Sequence, residues 1–341
     1  MTALQTDRPA VSVVMSFYKE PLRWILASVE SILKQTFTDF EFIIICDNPD
    51  YEEAMELILQ AASGDRRIRL IVNKKNIGLT KSLNIGLSLA RGSLIARMDA
   101  DDIAYPDRFA TQVAFMSANP EVGLCSSDVD VIDGDGIITK RRRNRRKNEG
   151  KWIYMENYIS HPTVMFRTGI LNLRTPLYDE NYRYTQDYEL WIFLLSKGVR
   201  IHSLNECLVQ YRCSDSNISS VHYSMQNAYF NKLHWNLISG RLLELGIIEK
   251  KDLNDLHVML EKTVHQFASH DRKTKEELSL ILYTLYFTLA TDDRKYIVRY
   301  FLDRNLLAFR VRAQLSYQML RAKISGKSKR AYLVPNEREP E

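Results

Sequence analysis

Cysteine is scarce in this chain of 341 residues, and the four present (Cys46, Cys125, Cys207, Cys213) lie far apart with no C-x-x-C pair. A disulfide scaffold and a zinc knuckle are thereby excluded, and a reducing compartment is expected. Long apolar runs are missing too. The longest, residues 278–290, has thirteen residues with Ser and Thr among them, whereas a membrane-spanning helix needs about 20. The opening MTALQTDRPA has no basic stretch followed by an apolar one, so no signal peptide is expected and the default location is cytoplasmic. Glycine is absent from the loop SFYKEP after the first apolar run. A dinucleotide-binding dehydrogenase needs glycine there for close pyrophosphate approach, and a sugar nucleotidyltransferase needs a glycine-rich first loop.

Net charge is also small, +5, but it is unevenly spread. Residues 140–147 (KRRRNRRK) carry +7 and residues 294–330 carry +10, which leaves −12 for the rest. An acidic body therefore has two basic attachments. KRRRNRRK has the charge to bind nucleic acid, but no recognised module surrounds it, and no nucleic acid partner is expected. It reads as a solvated loop or as a contact for anionic lipid or a lipid-diphosphate acceptor. In the C-terminal segment Tyr296, Ile297, Tyr300, Phe301, Leu306, Leu307, Phe309 and Val311 alternate with Arg299, Arg304, Arg310 and Arg312. That mixture suits an anionic membrane surface, or packing on the rest of the chain or a second subunit.

The first hundred residues alternate short apolar runs with stretches of helical spacing. Strands are expected over 11–17, 41–46, 68–72 and 93–98. Helices are expected over 22–35, 52–62 and 79–91, with Gly92 ending the last. This rhythm predicts an α/β fold, a mostly parallel sheet with flanking helices. Ligands of such sheets bind at the carboxyl ends of the strands, where Ser16, Asp47, Asn73 and Asp99 stand. Beyond Val122, Gly134 and Gly136 mark a hairpin, and Asp133-Gly134-Asp135-Gly136 lacks the EF-hand register and reads as a turn. A strand is expected over 163–167, a helix over 187–197 stopped by Gly198, and a strand over 209–212. From about His222 the chain reads as mostly helical. The division is therefore 1–220, 221–330 and a tail, 331–341.

Asp99, Asp101 and Asp102 place three carboxylates in four residues directly after a buried strand. Such charges repel unless a cation sits among them. Mg²⁺ or Mn²⁺, which bridge carboxylates to phosphates, are the natural partners. The plainer alternative is a solvated acidic turn before the helix that begins near Pro106.

VSVVMSFYKE, SILKQTFTDFEFIIICDNPD, NIGLTKSLNIGLSLARGSLIARMDADD and PDRF occur in that order, followed by HPTVMFR, QDYELW and YRCSDSNIS. Together they resemble family 2 glycosyltransferases of the GT-A fold, of the bacterial surface-polysaccharide type. The resemblance covers about residues 10–220, and the helical remainder matches no motif. It implies an inverting, metal-dependent transfer of a sugar from a nucleotide-diphosphate donor, a UDP-sugar, to a saccharide or lipid-linked saccharide acceptor. Ser16, Tyr18, Glu20 and Asp47 would hold the nucleotide, and Asp101 the metal. Asp99 would serve the ribose or the metal. Asp187 would be the catalytic base, with Glu189 its nearest rival. For Asp47 the alternative is a cap on the helix near Glu52, and for Asp187 a charge pairing with its helix dipole. Trp191 reads as packing or as an acceptor platform.

Three positions depart from the family's usual pattern. Lys19 stands where Asn is common, Gln186 where Glu is common, and Cys213-Ser214 where a His is common. The third metal ligand is therefore open between His161, His222 and water. Arg212 either pairs with a diphosphate or braces the sheet. The departures also permit a non-catalytic membrane adaptor, against which the intact Asp47, Asp99, Asp101 and Asp187 argue. Asn217-Ile218-Ser219 is a sequon by pattern only. A cytoplasmic enzyme, peripheral on the inner face of the plasma membrane, is the resulting expectation.

Overall fold

The computed structural model describes residues 8–142, 150–214 and 223–292. The chain divides into two compact units. One takes the residues up to Gly150 and then Asn157–Tyr223, and the other takes Lys151–Glu156 and the residues from Ser224 onward. The boundary expected at 220/221, the sequon, His222, residues 143–147 of the basic octet, the basic segment 294–330 and the tail 331–341 lie outside the described residues.

In the first unit, strands β1 (Val11–Phe17), β2 (Phe40–Cys46), β3 (Ile68–Val72) and β4 (Leu94–Asp99) alternate with helices α1 (Leu22–Leu33), α2 (Glu52–Ala61) and α3 (Leu79–Leu89). Every residue of β1 and β2 is buried, which is why these strands appear in the sequence as mainly apolar runs, interrupted only by Ser12, Ser16 and Glu41. Parallel pairing sets the order β3-β2-β1-β4. Ile25, Val29 and Ile32 recur at helical spacing on α1 and join Val13, Met15, Phe42 and Ile44 in one core.

The second half of this unit adds β5 (Ile103–Ala104), α4 (Arg108–Ala118), β6 (Val122–Ile132), β7 (Ile138–Arg142), β8 (Met165–Arg167), α5 (Gln186–Ser196) and β9 (Arg200–Arg212). The result is a nine-stranded mixed sheet ordered β3-β2-β1-β4-β8-β6-β9-β5, with β7 paired to β6. β8 enters antiparallel between β4 and β6. The expected hairpin is β6–β7. Its turn is held by Asp133, whose Oδ1 accepts from the Asp135 and Ile137 N–H groups at 3.0 and 2.9 Å, and Gly136 takes φ +86° there. Gly198, at φ +75°, follows α5 as expected.

Several local expectations need correction. The short strand expected at 209–212 is the end of a thirteen-residue strand. Irregularities around Asp128 in its pairing with β6 break the alternation that would have revealed it. Thr163 lies in a 3-10 turn, His161–Thr163, rather than in β8. α3 stops at Leu89 and the chain is already extended at Ala90. Gly92 therefore serves a close approach, since a Cβ on it would lie 2.6 Å from Ser12 N and 2.8 Å from the Val11 carbonyl carbon. We predict that Gly92→Ala destabilises the protein by about 3 kcal/mol, in the range of core overpacking. Chemical denaturation should show a lower midpoint; an unchanged midpoint contradicts this account.

In the second unit, helices α6 (Tyr223–Glu244), α7 (Leu256–Gln266) and α8 (Arg272–Asp292) enclose a core of Leu242, Ile247, Met259, Leu260, Ile281 and Leu285. The segment Lys151–Glu156 belongs to it. His234 Nε2 and Thr284 Oγ1 both donate to the Tyr154 carbonyl, at 2.7 and 3.1 Å. No helix among the described residues is long and apolar enough to cross a membrane.

Candidate active site

The carboxyl ends of β1, β2, β3 and β4 lie side by side, and the polar residues expected there stand on them. Ser16 pairs in register with Ile45 and Asp99. Asp47, which follows β2, is buried. Its Oδ1 accepts from Asn73 Nδ2 at 2.8 Å and Ile77 N at 2.9 Å, and its Oδ2 from Gly78 N at 2.8 Å. Gly78 takes φ +89° to aim that N–H. Asp47 is not the cap of α2, which begins after Tyr51 without a side-chain cap. A carboxylate offers roughly four lone-pair positions, so three bonds leave room on Oδ2 for one more donor.

The loop after β1 carries Tyr18, Lys19 and Glu20. Glu20 shapes it from within, its Oε2 accepting from the Tyr18 and Lys19 N–H groups at 2.7 and 3.1 Å. Burial pushes the Glu20 carboxyl up. Tyr18 is exposed, and hydrogen bonding to Asn76, then to Lys19, lowers its hydroxyl pKa.

At the end of β4, one carboxylate oxygen from each of Asp99, Asp101 and Asp102 falls within 4.8 Å of the others. Asp99 forms an ion pair with Arg97. Asp102 is fully buried. Its Oδ1 accepts from the Arg212 N–H at 2.7 Å, and its Oδ2 has no partner among the described residues. Burial, then the charges of Asp99 and Glu20, push Asp101 up to about 7. Burial and its acidic neighbours hold Asp102 well above the carboxylate range. A set of oxygen donors that repel one another, one of them buried and unsatisfied, fits a hard divalent cation.

His161 is not part of that cluster. Its Nε2 lies 2.7 Å from the Tyr178 hydroxyl, and burial pushes its pKa well below the usual histidine value. Cys213, standing where relatives often carry His, is exposed. Arg212 braces the sheet: Nε donates to the Asp101 carbonyl at 2.8 Å and Nη1 to the Asp133 carbonyl at 2.8 Å. Its guanidinium also lies 5.0 Å from the Trp24 ring centroid.

Asp187 is the second residue of α5. Burial pushes its carboxyl up, while a hydrogen bond from Asn157, the Tyr188 N–H and the Arg97 charge pull it down. Asn157 Nδ2 donates to Asp187 Oδ2 at 2.8 Å. Glu189, the rival base, is clamped by Arg174 through bonds of 2.6 and 2.7 Å. Trp191 is 0% exposed and offers no face to an acceptor. The buried Arg97 ties the two carboxylate groups together, because its charge acts on Asp99, Asp101 and Asp102 and also on Asp187, Tyr178 and His161. Asn157 escaped the sequence reading, since it stands in a loop with no periodicity to place it.

The family described as "Glycosyl transferase family 2" matches residues 12–177. The uncharacterized glycosyltransferase MJ1057 of Methanocaldococcus jannaschii is 36% identical over 237 residues, covering 68% of this chain and 81% of that protein. The chain belongs to glycosyltransferase family 2. This glycosyltransferase is also 30% identical over 206 residues to the O-antigen biosynthesis glycosyltransferase WbnJ of Escherichia coli, covering 59% of this chain and 79% of WbnJ. In fold it is similar to residues 1–349 of S. aureus TarS in complex with UDP-GlcNAc. The TM-score is 0.54 and the identity 14%, over 85% of this chain and 89% of that one. It spans 54% of the longer TarS chain. The likeness to TarS is one of fold, the expected GT-A arrangement.

Proposed function

We propose that this family 2 glycosyltransferase moves one sugar from a UDP-sugar to a saccharide or lipid-linked saccharide acceptor, inverting the anomeric configuration. Its product would belong to a surface polysaccharide such as capsule or O-antigen. The observation that carries this reading is the acidic turn at the end of β4, where carboxylate oxygens of Asp99, Asp101 and Asp102 lie within 4.8 Å of one another. The UDP-GlcNAc complex of TarS and the O-antigen role in WbnJ's name support the donor class and the product class.

Asp47 accepts from the pyrimidine N–H through its remaining lone pair, and the exposed Tyr18 ring lies beside the base. Ser16 and Glu20 line the nucleotide end. Asp101 and Asp99 hold Mn²⁺ or Mg²⁺, with the unsatisfied Oδ2 of Asp102 adjacent. When bound, the cation offsets the negative charge that collects on the diphosphate. Asp187 takes the proton from the acceptor hydroxyl. That oxygen then forms its bond to the anomeric carbon from the side opposite the leaving group. The carbon–oxygen bond to the diphosphate breaks, and its electron pair departs with UDP. A single displacement inverts the centre.

In this reading residues 1–220 are catalytic, and 221–330 serve acceptor, membrane or oligomer contacts. The enzyme works in the cytoplasm, peripheral on the anionic inner face of the plasma membrane. The test is nucleotide release from a panel of UDP-, dTDP- and GDP-sugars with Mn²⁺ present, followed by NMR of the glycoside formed. The expected result is release from a UDP-sugar and a product of inverted configuration. A retained configuration contradicts the single displacement.

A further inference from the structure

Asn157 is placed as a side chain dedicated to one carboxylate. Its Nδ2 donates to Asp187 Oδ2 at 2.8 Å, while its own Oδ1 is buried and has no partner among the described residues. A side chain that only stabilised its loop would satisfy both ends of its amide, since a buried carbonyl left unpaired is costly. Here one end goes unsatisfied while the other is aimed at Asp187. The orientation follows from chemistry. An ionised carboxylate only accepts, so the amide must present its N–H. Chain connectivity adds to this, because Asn157 is the residue at which the chain re-enters the first unit after Lys151–Glu156.

We propose that Asn157 is a positioning residue for the base: its amide fixes one oxygen of Asp187 and thereby the direction of the other toward the acceptor hydroxyl. The assignment rests on Asp187 being the base. Fixing one oxygen removes rotation of the carboxylate about its Cβ–Cγ bond, so the remaining oxygen is presented in one direction. The same bond favours the ionised form against burial. The other groups acting on this carboxylate are the Arg97 guanidinium from β4 and the backbone N–H groups of Asp187 and Tyr188. The buried Tyr178 hydroxyl lies in its field. Glu189, on the same helix, is occupied by Arg174. Asn157 is thus the neutral side chain that can be altered without changing the charge around the base.

The test uses the full chain labelled with ¹³C at aspartate carboxyls. The Asp187 signal is assigned by its loss in Asp187→Asn, and its titration is followed in wild type, Asn157→Ala and Asn157→Ser. In Asn157→Ala the midpoint should rise by about one pH unit, the size expected for loss of a hydrogen bond to the charged form. Turnover measured as UDP release should fall about tenfold or more with UDP affinity unchanged, the pattern of a defect confined to the reacting state. Asn157→Ser, which keeps a short donor, should recover part of both, and it replaces the Ala variant as the readout if that one does not fold. An unchanged midpoint in a folded variant overturns the proposal, whatever happens to the rate. Full turnover in Asp187→Asn would instead overturn the base assignment, while the titration would still show whether Asn157 holds that carboxylate.

Discussion

Asp187→Asn should lower the turnover of UDP-sugar by about 10³-fold, within the range that general-base catalysis supplies, and leave UDP affinity unchanged. Asn keeps the shape and one acceptor oxygen but cannot take the proton from the attacking hydroxyl. The wild-type rate should also report this group's ionisation. As the proposed base Asp187 would act deprotonated, so the rate should rise with pH through its pKa. Burial raises that pKa above the ordinary aspartate value of 3.8, so the acidic limb should lie above the range of an exposed aspartate. The measurement is kcat against pH for both proteins. A wild-type limb at the ordinary value, or a variant that keeps its rate, contradicts the assignment. Glu189 is no substitute in the variant, because Arg174 holds both of its oxygens.

Asp101→Ala should be equally severe for a different reason. In the proposed reading the three carboxylates within 4.8 Å of one another would together hold one cation, and removing one donor of a small set would leave an incomplete shell. UDP release should fall about 10³-fold, the scale of losing electrostatic stabilisation of a leaving group, and excess Mn²⁺ should restore only a small part. In wild type, protons compete with the cation for the same oxygens. Asp101 has its pKa pushed up to about 7 by burial and by Asp99 and Glu20. The Mn²⁺ concentration needed for half-maximal release should therefore rise as the pH drops below about 7. A requirement independent of pH between 5 and 8, or an Asp101→Ala protein with wild-type release, contradicts this.

The half of the first unit that holds β1 to β4 is the more legible part. β1 and β2 are buried along their whole length, so composition alone marks them, and their ends carry the residues that the family resemblance singles out. β9 was not legible beyond its last residues, because the bulges around Asp128 disturb its alternation. Gly92 stood out for the right reason of size but the wrong local geometry: it answers to the Ser12 backbone rather than to a helix terminus. Arg212 shows what only three dimensions decide. Its sequence neighbourhood offers a diphosphate partner or a brace, and the brace is visible only in the fold, where Nε and Nη1 donate to the Asp101 and Asp133 carbonyls. The choice of Asp187 over Glu189 likewise depends on Arg174, fifteen residues before Glu189 in sequence and bonded to it in space. Asn157 had no signal at all, since a lone amide in an aperiodic loop acquires meaning only from the carboxylate it faces.

The central claim is that the acidic turn and the nucleotide end form one metal-dependent donor site. Calorimetric titration of UDP into the full chain, with Mn²⁺ and then with the metal chelated, tests it most directly. The account predicts saturable binding of UDP with Mn²⁺ present and affinity at least about tenfold weaker without it, as loss of a cation bridging carboxylate to phosphate requires. Equal UDP affinity in both conditions, or no binding in either, would contradict it.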